Sequence, residues 1–106
     1  MAFDMNKMME QMQQMQAQMQ QAQEDLKHET VEATAGGGMV KVTATGAGEI
    51  KEIVIDPKAI DPDDPEMLAD IVMAAANDAL RSASALAESK IKSQMPDLGA
   101  LGLPGM

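Results

Sequence analysis

Met5, Met8, Met12, Met15, Met19, Ala22 and Leu26 recur at alternating spacings of three and four residues, and no other feature constrains this chain so strongly. Apolar residues at that period fall along one stripe of an α-helix. Gln11, Gln13, Gln14, Gln16, Gln18, Gln20 and Gln21 surround the stripe, in the heptad arrangement of helices that pack against other helices. Asp4 is placed to cap the start by accepting from free backbone amides, and no Gly or Pro intervenes before Gly36. The pattern predicts a helix over about 4–27. Such a helix is roughly 35 Å long at 1.5 Å per residue, whereas a compact domain of ~100 residues has a radius of gyration of only about 13 Å. The rod overshoots any globule that 106 residues can build. Part of it must project, and its seam must meet another helix. A homodimer is the expectation from length alone.

Three strands are expected next, at about 30–35, 39–45 and 49–55. In the first, Val31 and Ala33 alternate with Glu32 and Thr34; in the second, Val40, Val42 and Ala44 alternate with Lys41, Thr43 and Thr45. Ile53 and Ile55 share one face of the third. Gly36-Gly37-Gly38 and Gly46-Ala47-Gly48 supply turns where positive φ costs little. Loops this short imply an antiparallel meander, and three strands with one buried face need helices to cover them. Asp64 suits the cap of a second helix, with Pro65 at its first position and Glu66 and Asp70 against its positive end. That helix is expected over about 65–92, with Leu68, Val72, Ala75, Ala79, Ala83 and Leu86 as its apolar stripe. Pro96 stops it, and 96–106, rich in Gly and Leu, reads as a flexible tail. The chain is therefore one α+β domain over 1–95, a long helix, a three-stranded antiparallel sheet and a long helix. Its expected packing positions are Met5, Met8, Met12, Met15, Met19, Val40, Val42, Ile53 and Ile55.

The side-chain inventory excludes much chemistry. With no cysteine, disulfides, thiolate catalysis and zinc–cysteine sites are absent. No apolar run approaches the ~20 residues that cross a bilayer, and none resembles a signal peptide, so a cytoplasmic location is expected. His28 is the sole histidine, beside Glu29 at a helix end, with no serine singled out as a nucleophile for it. The acidic run Asp61 to Glu66 carries two prolines and lacks the glycine of a calcium loop, so it fits a capped turn. Gly36-Gly37-Gly38 lacks a following Gly-Lys-Ser/Thr and sits between strands, unlike a nucleotide-cradling loop. The expectation is a non-enzyme with no metal and no cofactor.

Two surfaces remain as candidates. Methionine is flexible and polarizable, and 12 of them against a single Phe mark an adaptable contact surface. The Met seam reads either as packing against a partner helix or as a groove for another protein's helix. The second surface is basic. A net charge of −9 is a poor footprint for nucleic acid, but location outweighs the total. If the two helices lie alongside each other, Lys7, Lys90 and Lys92 share the tip away from the sheet, with Arg81 further down the shaft. Such a tip can touch phosphates while the acidic body stays clear.

The run from Gly36 to Gly46 (GGGMVKVTATG), the run from Glu49 to Pro57 (EIKEIVIDP), Asp64 to Asp70 (DPEMLAD) and Ala76 to Leu80 (ANDAL) resemble the YbaB/EbfC family of bacterial nucleoid-associated proteins. The Met- and Gln-rich start and the Gly/Leu/Pro/Met tail match as well, so the resemblance spans nearly the whole chain. It implies a tweezers-shaped cytoplasmic homodimer, with sheets packed together and helical arms projecting, that binds double-stranded DNA at the arm tips in nucleoid organisation and gene regulation. Carried onto this chain, the contacts are Lys7, Lys90 and Lys92, with Asn6, Gln13 and Arg81 as further candidates. With no Trp or Tyr and a single Phe, the chain has no platform for stacking single-stranded bases, which favours duplex phosphate contact. The alternative is a protein-interaction module whose Met-rich arms grip another polypeptide and reach DNA indirectly.

Overall fold

Alternation of Val40, Val42 and Ala44 with polar neighbours makes one strand the organising element. A computed structural model describes residues 4–94; the tail expected at 96–106 lies outside the described residues. The elements in order are α1 (Met5–His28), β1 (Thr30–Ala35), β2 (Val40–Thr45), β3 (Ile50–Ile55), a 3-10 turn (Pro57–Ala59) and α2 (Pro65–Gln94). The strands form one antiparallel sheet in the order β1-β2-β3. The α+β class expected from the sequence is the one found.

Val40, Val42 and Ala44 are completely buried against Ala75, Ala79 and Ala83 of α2. Residues four apart lie on one helix face, and their single methyl groups let α2 lie close on β2. Leu68, Ile71, Val72, Ala76 and Leu80 close the margins of this core. It is thin: Val40 and Val42 are its largest fully buried side chains. At the start of α2, the Asp64 carboxylate accepts from the Met67 amide at 3.3 Å, and Pro65 occupies the first helical position.

α2 lies over β1 and β2 and barely reaches β3. A helix is about 10–12 Å across and strands sit about 4.8 Å apart, so one helix covers two strands and leaves the third bare. Ile53 pairs with Val42, and Ile50 with Ala44, which puts both on the helix-covered face. They nevertheless stay exposed, and only Ile55 is half-buried. Strict alternation would have put Lys51 on that face. A bulge opposite Thr43 and Ala44 takes up Lys51 as the extra residue and turns Ile50 inward.

α1 meets the rest of the chain at its sheet end. Ala22 and Leu26 are buried, and a Cβ on Gly46 would come within 2.6 Å of Leu26 Cδ2 and 3.0 Å of the Leu26 carbonyl. The β2–β3 turn can approach α1 so closely only because Gly46 lacks that atom. Beyond this junction no described part of the chain covers the helix, and the radius of gyration is 20.8 Å, well above the ~13 Å of a compact domain this size.

Candidate nucleic-acid interface

The free part of α1 is an arm. Asp4 caps it by accepting from the Lys7 amide at 3.1 Å. From Met5 to Gln23 its only charged side chains are Lys7 and Glu10. Glutamines occupy most of the remaining surface, offering neutral donors and acceptors. The Met seam changes character along its length. Leu26 and Ala22 are buried and Met19 is half-buried, whereas Met5, Met8, Met12 and Met15 keep 48% to 65% of their surface exposed. Met9, Met12, Met15 and Met19, with Gln13 and Gln16, line an open apolar groove made by this one helix. No described part of the chain fills it.

At the foot of the arm the charges are paired. Lys90 of α2 donates to Glu29 Oε1 at 3.0 Å and lies 3.9 Å from Asp25 Oδ2, with its side chain only 20% exposed. Gln21 donates to the other oxygen of Asp25 at 2.9 Å. Glu24 holds Lys27 at 3.3 Å and His28 at 3.5 Å. The hydrogen bond and charge of Lys27, aided by His28, pull the Glu24 carboxyl below its ordinary value. His28 is mostly exposed, as a solvated side chain should be.

The structure separates residues that the sequence placed together. Lys7 and Asn6 lie exposed at the arm tip, and Gln13 lies exposed in mid-arm. Lys90 instead sits at the arm's foot, against Asp25, which is about 27 Å down the helix axis from Lys7 at 1.5 Å per residue. The expected common tip of Lys7, Lys90 and Lys92 is therefore not formed within one chain. The cause is an offset between the helices. α2 starts at the far side of the sheet and spends Pro65 to Ala83 crossing it, so only its last turns reach α1. Arg81 is exposed and bound to Asp78 on its own helix, while Lys92 is exposed in the last turn of α2. Among the described residues, Lys7, Lys51, Lys58 and Lys92 form no ion pair, whereas Lys27, Lys41, Arg81 and Lys90 do. The pairing of Lys90 was missed from sequence; the acids that receive it are Asp25 in the last turn of α1 and Glu29 at its C-cap.

Residues 1–98 match the YbaB/EbfC DNA-binding family. The chain belongs to that family. Its YbaB/EbfC relatives include a nucleoid-associated protein of Desulforamulus reducens, 51% identical over all of this chain and 98% of the relative. Others named the same way come from Ruminiclostridium cellulolyticum, 50% identical over 97% of this chain and 88% of the relative, and Streptomyces avermitilis, 47% identical over 97% and 91%. Among solved structures, an uncharacterized protein of Helicobacter pylori superimposes with a TM-score of 0.71 at 25% identity, covering 83% of this chain and 92% of that one. Membership makes the chain a nucleoid-associated DNA-binding protein and not an enzyme. No helix among the described residues is long and apolar enough to cross a membrane.

Proposed function

We propose that two copies of this chain pair and hold double-stranded DNA with their arms, acting at the bacterial nucleoid, in the cytoplasm, in its organisation and in gene regulation. The observation that carries this reading is the bare arm, a 24-residue helix whose methionine seam no described part of its own chain covers. Ile50 and Ile53 supply a second uncovered apolar strip beside the core, suited to packing sheet against sheet. Exposed apolar strips of this kind mark contact surfaces. Lys7 and Asn6 at the tip, Gln13 along the arm and Lys92 at the end of α2 are the proposed DNA contacts. Arg81 and Lys90 are engaged by acids of their own chain.

The charge distribution sets the expected strength. Two copies offer Lys7 and Lys92 to at most four phosphates, which gives a slope of about −3.6 in log affinity against log salt. Titration of a short duplex by gel shift at several salt concentrations, with sedimentation equilibrium on the same sample, tests both halves of the reading. A dimer that shifts duplex DNA with that slope or a shallower one supports it. A monomer at micromolar loading, or a dimer that leaves duplex DNA unshifted at low salt, refutes it.

The Met-lined groove of α1 favours a second reading, a protein-interaction module that grips an amphipathic segment of another polypeptide and meets DNA indirectly. Capture of a partner from nuclease-treated lysate, together with no shift of naked duplex, would select it.

A further inference from the structure

We propose that Lys90 is a strut that sets the angle of the arm, and that it acts on DNA binding through arm geometry without touching phosphate. The DNA part of this inference rests on the function proposed above; the strut does not. α1 is held at its foot by three ties within two helical turns. Leu26 packs on Gly46, the Gly46 amide donates to the Glu29 carbonyl at 2.9 Å, and Lys90 bridges Glu29 and Asp25. The first two fasten the arm to the β2–β3 turn, whereas Lys90 fastens it to α2. Above them the arm is a cantilever. Lys7 lies about 28 Å beyond Leu26 at 1.5 Å per residue, so a tilt of about 5° at the foot carries the tip about 2.5 Å.

The pair is built to resist loss. Glu29 Oε1 accepts from Lys90, while Glu29 Oε2 is buried with no hydrogen-bond partner among the described residues. Removing the ammonium leaves the whole carboxylate without a charged partner at a half-buried site. A half-buried acid in that position turns toward water, because an unpaired buried charge is costly. Glu29 is the residue that joins α1 to β1, so its movement is transmitted to the arm. Lys92, two residues on and exposed, has no such partner among the described residues and is the natural control.

The test uses the absence of cysteine from the chain. Spin labels are placed on Q14C in the arm and S84C on α2, both exposed, in the full chain diluted into unlabelled protein, so that the distance read is within one chain. Lys90→Met should broaden or shift the distance distribution, Lys90→Arg should restore it, and Lys92→Met should leave it as in the parent. Should Lys90→Met fail to fold, Glu29→Leu removes the acceptor of the same pair and should broaden the distribution likewise. In duplex titrations across salt, Lys90→Met should weaken binding about fivefold, the equivalent of one part-exposed ion pair, with the salt slope unchanged. Lys92→Met should flatten the slope by about 1.8 for two copies. An unchanged distance distribution overturns the strut. A flatter slope for Lys90→Met overturns it as well, by making Lys90 a phosphate contact. If the parent protein does not bind duplex DNA, the functional reading fails on its own, and the distance measurement still decides the strut.

Discussion

Replacing Gly46 with alanine probes the junction on which the whole arm stands. The new methyl would lie 2.6 Å from Leu26 Cδ2, which can rotate, and 3.0 Å from the Leu26 carbonyl, which belongs to the α1 backbone and cannot. Retreat of the turn is opposed by the Gly46 amide, which donates to the Glu29 carbonyl at 2.9 Å. Overpacking of this kind costs about 1–3 kcal/mol, and lengthening that hydrogen bond adds about 1 kcal/mol. Against this stands a gain of about 0.4–1 kcal/mol, because alanine restricts the unfolded chain and Gly46 is not among the positive-φ glycines. The net expectation is a loss of about 1–3.5 kcal/mol, and each kcal/mol lowers the melting midpoint of a domain this size by about 4–8 °C. Thermal unfolding followed by circular dichroism reads it, at one fixed protein concentration because the proposed self-association would couple to stability. Leu26→Ala should cost about 2–5 kcal/mol alone, yet the double variant should cost less than the two singles together, since each change relieves the other. A Gly46→Ala protein that melts with the parent, or additive behaviour in the double variant, would refute the close-packing argument.

Three further outcomes follow from other parts of the molecule. Val42→Ala, at a fully buried site facing α2, should destabilise by about 2–3 kcal/mol, read as a lower urea midpoint with little change in slope. Met12→Asp combined with Met15→Asp, on the exposed stretch of the seam, should leave the helical spectrum in place and shift sedimentation equilibrium toward the monomer; an undiminished dimer would place the interface elsewhere. Glu24 has its carboxyl lowered by Lys27 and His28, so its contribution is present above the ordinary carboxylate range and is lost as pH falls through its depressed value. Glu24→Gln should therefore have a lower melting midpoint than the parent near neutrality, and the two should converge once the pH has fallen below the depressed Glu24 value; equal midpoints at neutral pH would deny the pairing any role.

Local periodicity carried most of the fold. The Met seam, the alternation in β2 and the Asp-Pro start of α2 each depend on near neighbours, so each was readable from one segment at a time. What escaped was the relation between segments. Nothing in α2's own residues says that its first 19 or so cross a sheet before meeting α1, and that crossing alone decides that Lys90 lands at the foot of the arm. Similarly, Ile53 carries the pattern of a packed residue, yet the width of one helix leaves β3 uncovered. Lys51 is a third case, because a bulge cannot be seen in a strand whose partner register is unknown. Within the candidate site, the neutral character of the arm was legible from composition, and the distinction between free and engaged lysines was not.

That distinction bears on how an acidic protein can bind DNA. A net charge of −9 per chain repels a duplex from most directions, and half of the cations, Lys27, Lys41, Arg81 and Lys90, are already neutralised by neighbours. The arm is different because it carries almost no charge, with Lys7 at the tip and Glu10 one turn below. Along such an arm the duplex meets neither strong attraction nor repulsion, and glutamine amides can exchange hydrogen bonds with water for ones to phosphate or base edges at little electrostatic cost. Under the function proposed above, the acidic body would act as a fence that confines DNA to the arms. Lys7→Glu should consequently do more than remove one contact, because it adds a third acid to Asp4 and Glu10, which flank the tip lysine. Its affinity in duplex titration at low salt should fall further than that of Lys7→Gln, and the two variants should draw together as salt screens the added charge. Equal losses at every salt concentration would mean that the tip does not meet the duplex.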